Sequence, residues 1–79
     1  MKLQAKNEWD TFAAMIIPPD APKIQYDETR RGFYAGFFSM LRMCREELPE
    51  LSDDDGVAAL ESLWKEVMAF YEDVKAGKA

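Results

Sequence analysis

Three stretches of this chain carry apolar residues at helical spacing, and prolines or glycine punctuate them. Trp9, Phe12, Ala13 and Ile16 fall at i, i+3, i+4 and i+7, which is the stripe of an amphipathic helix. Asn7 stands at the N-cap position with Asp10 three residues on, so a helix is predicted over about 8–17. Pro18-Pro19 stops it, because proline disfavours helix at the residue before it and has no amide to donate. Asp20 is the expected cap of a second helix, with Pro22 tolerated in the first turn. Tyr34, Phe37, Leu41, Cys44 and Leu48 alternate spacings of three and four, giving a helix over about 22–48 that Pro49 ends. Ser52 followed by Asp53-Asp54-Asp55 reads as an N-cap with acids in the first turn, where the helix dipole favours them. Val57, Leu60, Trp64, Val67, Tyr71 and Val74 continue to Gly77, a C-terminal stop, so a third helix is predicted over about 53–76. No strand signal, internal repeat or low-complexity tract interrupts this pattern.

The predicted fold is all-α, one helical domain spanning residues 1–79. A short N-terminal helix accompanies a long antiparallel αα-hairpin, since only four or five residues join helices two and three. At about 100° per residue, the apolar positions of helix two spread over roughly 220°, more than one partner helix and one short helix cover. Gly32 and Gly36, with Ser39 beyond them, form a small-residue stripe along the same helix. Homo-oligomerisation into a helical bundle through Gly32, Phe33, Gly36 and Met40 would bury both stripe and arc. The alternative is a monomer in which helix one fills the gap. At 79 residues, a chain buries only about 60% of its unfolded surface, so added packing matters.

Composition narrows the classes. Hydrophobic residues make up 48% and charged residues 32%, a foldable rather than disordered balance. No apolar run approaches the roughly 18 residues of a membrane span, and residues 1–7 lead into no signal-peptide core, so a cytoplasmic protein away from membranes is expected. The net charge of −5 is unevenly spread. Residues 1–45 carry five acids against seven bases, whereas residues 46–74 carry ten acids against the single Lys65. A mostly acidic chain does not suit DNA or RNA polymer, although the arginines Arg30, Arg31, Arg42 and Arg45 cluster closely enough to hold a small anion. With no histidine and one cysteine, neither a zinc site nor a Ser-His or Cys-His nucleophile can be assembled. Cys44 is expected in the apolar seam, where burial suppresses thiolate. Asp53-Asp54-Asp55-Gly56 resembles the start of a calcium loop, but Val57 and Trp64 occupy positions where ligands would be needed. Glu61, Glu66 and Glu72 read as a solvated face. The expectation is a non-enzymatic protein with no metal and no cofactor.

The segment from Gln25 to Gly36 carries more polar and aromatic chemistry than helix packing requires. Helical projection puts Arg30 between Tyr26 and Phe37, near the centre of the apolar arc. A cation buried there needs a partner: an acid of helix three, backbone carbonyls at a helix end, or an anionic ligand. Arg31 either pairs with Asp27 one turn earlier or joins Tyr26 or Tyr34 and the Gly32/Gly36 gap in a pocket. There a guanidinium would hold phosphate while a ring stacks on a base. Gln25, Tyr26, Glu28, Arg30, Arg31 and Tyr34 are the candidate ligand-binding residues.

Residues 17–36, Ile-Pro-Pro-Asp-Ala-Pro-Lys-Ile-Gln-Tyr-Asp-Glu-Thr-Arg-Arg-Gly-Phe-Tyr-Ala-Gly, resemble a family of short phage and prophage proteins. Its members share a PP-x-A-P-x-x-Q opening followed by E-x-R-R-x-F-Y-A-G. The likeness covers about a quarter of the chain, and Gly32 stands where such proteins often carry alanine. What the resemblance implies is a small helical phage protein acting in the cytoplasm of an infected bacterium. Such proteins often counter host defence, by sequestering a nucleotide signal or by binding a defence protein. Two functions are therefore expected. In the first, the protein captures a small anionic, nucleotide-type ligand. In the second, it is an acidic interaction module whose helix-three face, with Glu61, Glu66 and Glu72, binds and inhibits a basic host protein.

Overall fold

A computed structural model describes residues 3–79, and all regular structure among them is helical. Helix α1 runs Ala5–Ile16, α2 runs Lys23–Arg42 and α3 runs Asp53–Lys75; a π-helical turn Met43–Glu47 and a 3-10 turn Leu48–Glu50 lie between α2 and α3. The chain divides into two compact units, residues 1–42 and residues 43–79.

In the first unit α1 packs on α2. Among the described residues Trp9 alone is buried, 2% exposed, and it brings the aromatic rings of both helices together. Its ring lies 6.0 Å from Phe12, 5.3 Å edge-on from Tyr26 and 5.5 Å from Phe33. Phe12 also meets Phe33 at 5.2 Å, and Phe33 continues to Tyr34 and Phe37, each at 6.0 Å. Such tilted and edge-on pairs are the geometry that ring quadrupoles favour. The indole N–H of Trp9 donates to the Tyr26 hydroxyl at 3.0 Å, so the buried ring leaves no polar group unmatched.

The helix starts differ from those the sequence suggests. Helix α1 begins three residues earlier than expected, with Gln4 at the N-cap and no side-chain cap bond. Asn7 is already helical, donating its N–H to Gln4 at 3.2 Å. Asp20 does not cap α2 either. Pro19 and Asp20 form the middle of a turn closed by the Ala21 N–H on the Pro18 carbonyl at 3.0 Å. The Pro22 carbonyl accepts from Gln25 and Tyr26 at 3.0 and 3.2 Å and so opens the helix. Proline fits there, since an amide at a helix start has no intrahelical partner to lose.

Helix α2 ends at Arg42, six residues short of the expected Leu48. The cause is Pro49, whose ring clashes with the carbonyl four residues back, that of Arg45, and whose missing N–H would leave the same carbonyl unpaired. The backbone widens into the π-turn instead of continuing as α-helix. Cys44, expected in an apolar seam, lies in this widened turn and is exposed.

In the second unit, Met43, Leu48 and Leu51 line an open hollow of about 280 Å³ with Ala59, Ser62 and Leu63 of α3. Both ends of α3 match the sequence expectation. Ser52 accepts the Asp55 N–H on its side chain at 3.2 Å. At the other end Gly77 takes φ 75°, its N–H reaches Val74 and the Lys78 N–H reaches Asp73 at 2.8 Å, a Schellman motif for which glycine has no steric penalty.

Candidate functional site

One face of α2 gathers Lys23, Asp27, Arg30, Arg31 and Tyr34 around an open groove of about 450 Å³. Their spacing dictates this. Steps of three and four residues return to the same side of a helix, so positions 23, 27, 30, 31 and 34 share a face. Arg30 lies with its guanidinium carbon 5.7 Å from the centre of the Tyr34 ring, within cation–π range. It is exposed, contrary to the expected burial. The reason is where α1 sits: it covers the Tyr26, Phe33 and Phe37 flank and leaves Arg30 at the edge of the apolar arc. Among the described residues Arg30 has no carboxylate partner.

The other charges of the face are loosely matched. Lys23 holds Asp27 at 2.6 Å, and Arg31 approaches Glu28 at 3.8 Å with both side chains largely exposed. The Lys23 hydrogen bond is the main cause that lowers the Asp27 pKa, with the fields of Lys23, Arg31 and Arg30 adding to it. On α1, Asp10 bonds Lys6 at 2.7 Å and raises the lysine pKa, with small contributions from Tyr34 and Tyr26. Three cations therefore line the groove against one carboxylate, a local excess of positive charge in an acidic chain.

Not every expected residue shares this face. Gln25 projects about 180° from Tyr34 and Glu28 about 120°, so Glu28 reaches the site only through Arg31. Tyr26 is committed to Trp9. Gly32 and Gly36 both lie about 160° from Tyr34, and the pocket expected between them and the arginines does not form. Both glycines are exposed, and a Cβ added at either would meet nothing within 4 Å. Phe33, expected at an oligomer interface, sits in the Trp9 cluster of its own chain, while Met40 is partly exposed at 38%. Sequence reasoning missed Lys23 and gave Asp27 only as a pair for Arg31, whereas Asp27 pairs with Lys23; counting one turn back from Asp27 would have found the lysine.

Along α3, Glu61, Glu66 and Glu72 are exposed, and Glu72 meets Lys75 at 3.4 Å. No group of three or more metal-ligating side chains is assembled among the described residues, and no helix there is long and apolar enough to cross a membrane. No family model matches the chain, and no curated protein or solved structure matches it.

Proposed function

We propose that this is a non-enzymatic phage protein of the host cytoplasm that captures a small anionic, nucleotide-type ligand on the Arg30/Arg31/Tyr34 face of α2 and so withholds it from a defence pathway. The observation that carries this is Arg30, a guanidinium without a carboxylate partner, held beside a tyrosine ring in a groove that Lys23 and Arg31 also line. A guanidinium offers the planar donor fork that suits phosphate, and Tyr34 or the guanidinium plane offers a stacking surface for a base. The likeness of residues 17–36 to short phage proteins supplies the biological setting. Antiparallel pairing of α2 with α3 and assembly of several copies remain part of the proposal, because an open groove on one helix needs a second wall to hold a ligand well.

The test is calorimetric titration with a panel of linear and cyclic nucleotides on wild type, Arg30→Met and Arg31→Ala. Binding to wild type and its loss in Arg30→Met, with helix content unchanged, is expected. No heat with any nucleotide on wild type would remove the ligand function. The second function, an acidic module that inhibits a host defence protein, is favoured by the exposed acids flanking apolar residues on α3. It would then be the one retained, with loss of activity expected on Glu61→Lys and Glu66→Lys instead.

A further inference from the structure

The second unit by itself cannot close a core. None of its residues is buried, and its connecting turns reach only the first half of α3. Trp64, Val67, Phe70, Tyr71 and Val74 are 45–68% exposed along the rest. These positions recur at three- and four-residue steps, so they make one continuous stripe. A stripe of this size on water is a mark of an interface.

The first unit has a matching surface. Helix α1 covers one flank of α2; on the other Ile24 and Phe38 are 70% and 66% exposed around Arg30, Arg31 and Tyr34, and Leu41, 55% exposed, borders the start of α1. Ile24 to Leu41 and Val57 to Val74 each span about 25 Å at 1.5 Å per residue. The charges are complementary as well. Helix α3 carries seven acids against Lys65 and Lys75, and α2 carries four bases against Asp27 and Glu28. Pairing α3 with α3, or α2 with α2, would set like charges together.

We infer that α3 of one chain packs antiparallel on the basic face of α2 in a second copy, and reciprocally, so that two chains close each other's cores. Aligning Leu41 with Val57 and Ile24 with Val74 brings Arg31 level with Val67, beside Glu66, and sets Lys23 level with Lys75 at the last residue of α3, with Glu72 and Asp73 within one turn. The parallel alternative also sets a base, Arg42, level with Lys75, and in addition places Arg31 beside Lys65 and Glu28 level with Glu61, so antiparallel is the favoured direction. The partner is a second copy because its α2 offers the length and charge that match α3, whereas the Gly32/Gly36 stripe, bordered by Gln25, Thr29 and Ser39, offers only Met40 as a large apolar side chain. Leu3, Met15 and Ile16 are exposed as well, but the α2 and α3 faces are the two that run the length of a helix and match in charge. Exchange uses each face once and closes with twofold symmetry. This inference does not rest on ligand binding. The α3 of the second copy would stand as the second wall of the Arg30/Arg31 groove.

The experiment is the mass in solution, by sedimentation or light scattering, of the full chain and three variants with helix content checked in each. Wild type should show twice 9.1 kDa in the micromolar range. Arg31→Glu and Glu66→Arg should each weaken association by about tenfold, and the combined variant should recover it. A 9.1 kDa mass at every concentration overturns the inference, also if charge reversal and rescue appear in the melting temperature, which would place α3 on its own α2. A dimer indifferent to all three variants overturns it too, since other faces would then be in contact. A dimer with charge rescue that ignores every nucleotide supports the pairing while removing the proposed ligand, so the two ideas fail separately.

Discussion

The two units of this chain are stabilised by opposite means. In residues 1–42 a single buried indole, Trp9, links two helices through rings and one hydrogen bond. In residues 43–79 nothing is buried, and α3 is secured at its ends, by the Ser52 cap and the Gly77 motif, and by its own connecting turns. Caps and turns fix where a helix begins and stops but leave its apolar side on water. The difference teaches that local signals suffice to define α3, whereas only a partner surface can make use of its stripe. Helix α1 supplies such a surface to α2 within the chain; for α3 the inferred partner surface is α2 of a second copy.

Substitutions can break this comparison from either side. The largest effect is expected from Trp9→Ala, which removes the one fully buried side chain and should cost about 3–5 kcal/mol, enough to abolish the near-ultraviolet dichroism of the aromatic cluster. Trp64→Ala should instead leave the melting of a diluted sample nearly unchanged, because that ring is 68% exposed. Ser52→Ala removes the cap of α3 and should lower stability by about 1 kcal/mol; a denaturation midpoint unchanged from wild type would mean that the end of α3 matters less than its face. Tyr26→Phe leaves the Trp9 N–H without its acceptor and should cost about 1 kcal/mol, measured by the same denaturation in the first unit only. The smallest effect concerns acid. The Asp27 pKa lies below its ordinary 3.8, held there chiefly by the Lys23 hydrogen bond. A depressed carboxylate pKa adds stability above the unfolded value that is lost as pH falls through the folded one. The first unit should therefore melt slightly earlier below about pH 4, and Asp27→Asn should remove that part of the pH dependence.

Some of this was legible in the residues and some was not. The Trp9/Phe12 spacing, the Ser52 cap and the Gly77 stop are local patterns with one physical outcome, and each appears as expected. The influence of Pro49 was read only at its own position, yet a proline acts on the carbonyl four residues earlier, and so α2 yields to a π-turn at Met43. Pairing across helices was also hidden. Nothing in the sequence says that Tyr26 answers Trp9, and without that contact Tyr26 looks like a ligand group and Arg30 looks buried. At the candidate site, Arg30, Arg31 and Tyr34 share a face by spacing alone. Joining them to Gly32 and Gly36 ignored the half turn between the two sets.

The two tryptophans report separately on the closed core of the first unit and on the inferred closure of the α3 stripe by a second copy. Fluorescence of Trp9→Phe reports Trp64 alone, and fluorescence of Trp64→Phe reports Trp9 alone. Trp9 should emit as a buried indole at every concentration, while Trp64 should emit as a solvated one at high dilution and shift to the blue as copies associate in the micromolar range. A Trp64 signal that is already buried at the highest dilution, or solvated at every concentration, would contradict that closure.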